Sequence, residues 1–377
     1  MENRSLPQGS LISYMSNLVK AQGGINLAQG IPAFEPPAEL LEMLKNISFD
    51  NVHQYASGRG NQPLLEQLAR FYKVPFNQFL IVNGATEAIS LLFTFFKKKI
   101  QQPYSVLAFN PAYESYKNLS QIFNLPFHSF SLIADNSIDF DLLSQTIKDQ
   151  SVKLVLVASP GNPLGKIWTK EEVLRLVQLS EELSFYIVFD AVYDQLYFES
   201  STFFPIDKIS PQVFYVNAFS KLLSITGWRI GYLLAQPQMI DEIAAIHDYT
   251  GLSSPSVLQQ ALAFYLDKYN FGKEYTEGLR EKLKDNYYQM EKELTNLGFK
   301  VIKAQGGYFI WAQLPKGLTD GFQFAIDLYE KQKVAVIPGI HFSEEAGAFI
   351  RINIARHPYE ISMAIGKIKK YMTDLVS

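Results

Sequence analysis

Six short runs of apolar, largely β-branched or aromatic residues recur through the middle of the chain, separated by longer stretches in which apolar positions fall at helical spacing. They are Phe79 to Val82, Ser105 to Phe109, Leu154 to Ala158, Phe185 to Phe189, Val213 to Asn217 and Gly231 to Ala235. Each is apolar on both faces, as a strand buried in a parallel sheet must be. The alternation of such runs with helical segments predicts an α/β architecture: a mostly parallel, mixed sheet flanked by helices. From Tyr269 to Leu297 the chain turns charged, with apolar residues near helical spacing, and Gly298 is placed to stop that long connecting helix. Beyond it, Gly307 to Ala312, Val334 to Ile337 and Phe349 to Ile354 read as strands of a second, smaller sheet. A closing helix carries Ile361, Ile365, Ile368, Met372 and Leu375 on one face. There is no internal repeat and no low-complexity segment.

At 377 residues the chain exceeds what one hydrophobic core usually organises. The expected division is an amino-terminal segment over 1–35, a large domain over 36–270 and a small α/β domain over 271–377. Charge narrows the partners: 34 basic against 37 acidic side chains, spread without long runs, offer neither a nucleic-acid footprint nor an anionic-lipid anchor. A small molecule is the expected partner. There is no cysteine, so thiolate chemistry and disulfides are excluded. The five histidines are scattered, with no pair at ligand spacing, so no metal is expected. The first seven residues lack a signal-peptide layout, and no stretch reaches the roughly 18 apolar residues of a membrane span. The expectation is a cytoplasmic protein.

The candidate chemistry clusters where predicted strands end. Lys221 follows the run Val213 to Asn217 in apolar surroundings, the kind of lysine whose amine is driven toward neutrality and made nucleophilic. Arg229, eight residues on, presents a permanently charged planar fork suited to phosphate or carboxylate oxygens. Asp190 closes the run Phe185 to Phe189, at the carboxyl edge where open α/β sheets bind ligands, with Tyr193 three residues later. Asn162 sits amid two prolines and two glycines in Ser159-Pro160-Gly161-Asn162-Pro163-Leu164-Gly165, a rigid turn able to place an amide. Gly84, Ala85 and Thr86 pass from strand into an apolar helix, whose amino terminus would suit a phosphate. Taken singly, each has a plainer reading: a surface lysine, a solvent ion pair, a helix cap, a simple turn, an ordinary strand–helix connection. Gly58-Arg59-Gly60 begins like a dinucleotide fingerprint but lacks its third glycine and a preceding strand.

Together, in this order and spacing, these segments resemble the class I/II aminotransferases of pyridoxal-phosphate (PLP) fold type I, from about Ile25 to Arg351. Asn26-Leu27-Ala28-Gln29-Gly30-Ile31-Pro32-Ala33-Phe34, Asn83 to Ala88 and Phe349 to Asn353 look most like bacterial methionine aminotransferases and kynurenine–oxoglutarate transaminases. The resemblance implies that Lys221 holds PLP as a Schiff base and shuttles the substrate proton, and that Asp190 pairs with the ring nitrogen. It further implies that Asn162 and Tyr193 bond the 3′ oxygen and Tyr113 stacks on the ring. Arg229, Gly84, Ala85, Thr86 and Ser220 would hold the phosphate, with Tyr55 reaching the phosphate of a neighbouring subunit, hence a homodimer. Arg351 would grip the substrate α-carboxylate, with Gly30 close by.

The chain departs from the pattern at Ala218, where many relatives carry a phosphate-binding serine, so that bond is lost or Ser220 or Asn217 substitutes. Positions near Ile12, Leu252 and Ser253 lack the aromatic and histidine groups of animal kynurenine enzymes. With Tyr14 they suit an apolar side chain. The reading that follows is a ping-pong transaminase moving the amino group of methionine or an aromatic amino acid to a 2-oxo acid. A PLP-dependent β-eliminating carbon–sulfur lyase and, more remotely, a PLP-binding protein without turnover are the alternatives.

Overall fold

The computed structural model describes residue 7 and residues 9–47, 52–133 and 136–376. Residues 1–6, on which the signal-peptide reading mostly rests, lie outside the described residues. The strands are β1 (Ile25–Asn26), β2 (Phe79–Val82), β3 (Ser105–Asn110), β4 (Phe127–Ser131), β5 (Val152–Ala158), β6 (Tyr186–Asp190) and β7 (Val213–Ala218). They continue with β8 (Gly231–Leu234), β9 (Lys300–Ile302), β10 (Phe309–Gln313), β11 (Val334–Ala335), β12 (Ile337–Pro338) and β13 (Phe349–Asn353).

A seven-stranded sheet in the order β2-β8-β7-β6-β5-β3-β4 forms the larger layer. Its strands are parallel except β8, which runs antiparallel to both β2 and β7. The runs read as apolar on both faces because each face has its own core. Leu107, Val155, Val157 and Ile187 join one cluster, while their neighbours Val106, Leu154, Leu156 and Val188 join the other. The helices Ala85–Lys99 and Pro237–Thr250 cover the second face, with Phe93, Phe96, Ile240 and Ile243 buried. The first core continues without a break into the smaller layer, the antiparallel sheet β12-β13-β10-β9.

Where expectation and fold differ, the cause is local. β8 keeps the predicted position but not the parallel sense, because the short connection from β7 returns the chain alongside rather than crossing over a face. The edge strand β4, Phe127–Ser131, has a half-exposed polar pattern and gave no apolar run. The run Val334 to Ile337 is two strands: β11 pairs in parallel with β1, and β12 pairs with β13. The connecting helix is Lys273–Asn296, starting after a turn with Phe271 and Gly272 at positive φ, and Gly298 follows its end at φ 85°. In the closing helix Pro358–Val376 the apolar stripe is buried except Leu375, which is 39% exposed. Among the described residues no helix is long and apolar enough to cross a membrane, and no group of acidic residues and histidines could hold a metal.

Candidate active site

Three neighbouring parallel strands deliver their carboxyl ends to one edge of the large sheet, the usual ligand edge of open α/β sheets. The register pairs Ala158 of β5 with Asp190 of β6, and Asp190 with Val216 of β7. Asn162, Asp190 and Lys221 therefore emerge side by side. The reversed β8 brings a fourth group there: Arg229 precedes β8, and only an antiparallel strand starts at the edge where its neighbours end. The helix Ala85–Lys99 opens at the same edge, with Gly84 before it at φ 82°. These elements enclose a cavity of about 290 Å³.

Lys221 stands on a one-turn helix, Phe219–Leu222, directly after β7. Its Nζ donates to the Gly30 carbonyl at 2.6 Å and has no carboxylate partner among the described residues. Burial, then the Arg351 and Arg229 charges, lower its pKa to about 8, with Asp190 acting in the opposite sense. Tyr308 Oη donates to the Lys221 carbonyl at 2.6 Å and pins the turn that presents the amine.

Asp190 is buried, and no helix starts after it, so the capping role does not apply. Its Oδ2 accepts from Tyr116 Oη at 2.6 Å and its Oδ1 from Val192 N at 3.4 Å. Burial raises its pKa, against the pull of these two bonds and of Lys221. Tyr193 is buried edge-on against Tyr308 and Phe309, with ring centroids 5.2 and 5.9 Å away.

Arg351, on β13, is 1% exposed and has no carboxylate partner among the described residues. Nη1 donates to Asn162 Oδ1 at 2.9 Å and Nη2 to the Ala28 carbonyl at 2.5 Å, while Nε has no partner. The guanidinium lies over the rings of Phe309 and Phe342 at 4.0 and 4.7 Å. Burial lowers its pKa to about 10. Asn162 is held by its turn: Gly161 N donates to the Lys166 carbonyl, and a Cβ on Gly165 would stand 2.5 Å from Ala304 Cβ, so the turn presses against the smaller layer.

Arg229 is fixed by its own donors, Nη1 to the Thr226 carbonyl at 3.0 Å and Nη2 to the Asn83 carbonyl at 3.1 Å. A Cβ on Gly84 would meet Nη2 at 2.4 Å, so only glycine lets the guanidinium lie against this helix amino terminus. Ala85, Thr86, Ser220, Tyr113 and Gly30 line the same cavity. Of the two substitutes for the missing serine at Ala218, Ser220 faces the cavity. Asn217 does not, because its amide is spent on Tyr215 Oη and on Ala218 N.

Tyr55, Tyr14, Leu252 and Ser253 do not line this cavity: Leu252 is 43% exposed, and Ser253 borders the same groove as Tyr55. Tyr55 is 82% exposed and borders a separate open groove with Asn83 and Ser254. Tyr14 packs on the core and is absent from the wall, where Ser10, Ile12 and Ser13 stand instead. The sequence reading missed Tyr116, whose only signal was its position one turn beyond Tyr113. It also missed Glu114, Ile31 and Phe309, which line the cavity.

The chain belongs to the class I and II aminotransferases, whose family model matches residues 22–368. It is an aminotransferase, and the cofactor of this family is PLP. Among its relatives is the probable aspartate aminotransferase of Methanocaldococcus jannaschii, 28% identical over 92% of each chain. The aspartate aminotransferase of Thermotoga maritima is 27% identical over 94% of this chain and 93% of its own. The structure of N-succinyldiaminopimelate aminotransferase from Mycobacterium tuberculosis superposes with a TM-score of 0.87 over 97% of this chain and 99% of that one, at 24% identity, which speaks to the fold alone. These names do not single out the methionine and kynurenine subgroup.

Proposed function

We propose that this chain transfers the amino group of an α-amino acid with a large apolar side chain, methionine or an aromatic, to a 2-oxo acid by a ping-pong mechanism. The observation carrying the reading is the pairing, in one cavity, of a buried lysine bonded only to the Gly30 carbonyl, its pKa lowered by burial to about 8, with a buried arginine that has no ion-pair partner among the described residues. The residues present fit PLP: Arg229 and the open amino terminus at Gly84 suit its phosphate, the buried Asp190 suits a protonated ring nitrogen, and Lys221 suits its aldehyde carbon. When bound, PLP supplies an electron-poor ring that draws electron density from the substrate Cα.

In this reading Asp190 keeps the ring nitrogen protonated, because a buried carboxylate is costly without a cationic partner. Lys221 Nζ takes the Cα proton and returns it, a task for an amine poised close to the working pH. Arg351 receives the α-carboxylate on its planar fork. Asn162 has its Oδ1 occupied by Arg351, which leaves Nδ2 to donate, with Tyr193 Oη, to the ring oxygen. Tyr113 offers a ring face. The phosphate falls to Arg229, Ser220, Thr86 and the backbone of Ala85. Ile12 and Ile31 furnish the apolar wall for the side chain. Tyr55, exposed outside the cavity, fits a bond to a second subunit's phosphate, so the working form is a homodimer; sedimentation at twice the 42.8 kDa chain mass tests this.

The test is an absorbance spectrum of purified protein before and after methionine. A visible band that moves to the near ultraviolet and returns with a 2-oxo acid is the expected result. Lys221→Ala should slow that exchange by roughly 100-fold or more. A chain that gains no visible band with PLP would refute the reading.

A further inference from the structure

The charged groups of the cavity wall do not all have work to do in the reaction just described. Lys221, Arg229 and Arg351 are the cations among the lining residues, and Asp190 and Glu114 the acids. With Arg351 taken as the α-carboxylate partner, the reading on which this inference rests, each cation is committed and Asp190 is too. Glu114 is left over. It sits at the first turn of the helix Glu114–Ile122, next to Tyr113. Ser10 and Ile12 of the amino-terminal segment stand in the same wall.

Glu114 is clasped from two sides. Ser10 Oγ donates to its Oε1 and Oε2 at 3.2 and 3.3 Å, and His341, on the turn after β12, pairs with Oε2. Its side chain is 17% exposed and that of His341 is 6% exposed, so the carboxylate is fixed rather than free to swing into solvent. Once the α-carboxylate lies on Arg351, the walls left to a substrate side chain include Ile12, Ile31 and Glu114, and the Glu114 charge already acts on Arg351. A charged His341 makes the clasp neutral, and a neutral His341 leaves it negative. In neither state does the wall hold a spare cation for a second carboxylate.

We propose that Glu114 is a specificity-determining residue that excludes dicarboxylic substrates. A second carboxylate would be desolvated against a fixed carboxylate, whereas an uncharged side chain meets no like charge in that wall. One pocket serves both halves of a ping-pong cycle, so the exclusion reaches the acceptor. The enzyme takes monocarboxylic amino acids and returns through monocarboxylic 2-oxo acids, in contrast to the aspartate aminotransferases it is related to.

The experiment follows conversion of the visible band by methionine, aspartate and glutamate, and its return with 4-methylthio-2-oxobutanoate or 2-oxoglutarate. In the native enzyme kcat/KM should favour the monocarboxylic member of each pair by about 100-fold. Glu114→Gln should raise the glutamate-to-methionine ratio by roughly tenfold, the size of one lost like-charge contact. His341→Gln keeps the carboxylate and removes its partner, so the ratio should hold or fall. If the clasp were only structural, both variants would move the ratio the same way, and that result would overturn the proposal. So would a native enzyme as efficient with 2-oxoglutarate as with the monocarboxylic acid. A chain that binds PLP but is converted by no amino acid would overturn this proposal and the transaminase substrate reading together, a different signature from lost selectivity.

Discussion

Tyr116 donates to Asp190 from a fully buried position, and burial together with the Asp190 charge holds its hydroxyl well above its ordinary pKa. The phenol is therefore a dependable donor across the working range. It offsets part of the cost of keeping a carboxylate out of water, since hydrogen bonds to charged groups contribute about 1.5–3 kcal/mol. Tyr116→Phe should push the Asp190 pKa further up and weaken its hold on a ring-nitrogen proton. Expected outcomes are a tenfold or greater loss of PLP affinity, about 1.4 kcal/mol, read by titrating the cofactor-free protein, and a fall in kcat larger than any rise in KM. An unchanged PLP affinity would leave Tyr116 as packing only.

At the scale of elements, the amino terminus of the helix Ala85–Lys99 and the reversed strand β8 are parts of one device. Gly84 and Gly231 pack backbone against backbone: a Cβ on Gly231 would come within 2.8 Å of Gly84 Cα. This contact lets β8 start beside the helix and sets Arg229 across its end. Gly84→Ala should displace the guanidinium, because its Cβ would overlap Nη2 at a φ of 82° that alanine adopts only with strain. PLP affinity should fall by roughly tenfold or more while the circular-dichroism spectrum keeps its helical content. The check is PLP titration on variant and native protein in parallel.

The whole molecule carries a buried polar network that the proposed chemistry does not use. Asp194 accepts from Tyr215 Oη at 2.5 Å; Tyr215 is bonded by Asn217, and Tyr72 bridges Tyr215 and Tyr232. Burial outweighs the bonds from Tyr215 and Asn217 and raises the Asp194 pKa from 3.8 to about 6. The folded protein thus keeps a proton over a range in which the unfolded chain has released it. Stability from this group is present below about pH 4 and is lost as pH rises through about 6, on the order of 3 kcal/mol in all. Asp194→Asn should abolish that slope, so its Tm relative to native should rise between pH 4 and pH 7 and level off above. A constant Tm difference across that range would show that Asp194 stays ionised.

The six apolar runs of the large sheet, the strands around Phe309 and Phe349, the long helix with its glycine stop, and the residues Lys221, Asp190, Asn162 and Arg229 were legible in the chain, whereas Arg351 entered only through the resemblance and the order of strands within each sheet did not show. The legible features sit in local signals: apolar runs, turn residues, a charge set against an apolar run. Five residues from distant segments gathering in one cavity was foreseeable only through the combined pattern, since each alone had an ordinary explanation. What the sequence could not decide depends on distance. Tyr116 reaches Asp190 across 74 residues, Ser10 reaches Glu114 across 104, and Arg351 reaches Ala28 across 323. Tyr14 was expected in the wall and packs on the core, because the face a helix buries is set by what packs against it. The antiparallel sense of β8 and the edge strand β4 likewise come from pairing partners, not from composition. Residue types and their periodicity thus determined the class of fold and the kind of chemistry. Which groups meet, and so which substrates the cavity admits, was decided by tertiary packing, because burial and charge act between atoms that the chain brings together only when folded.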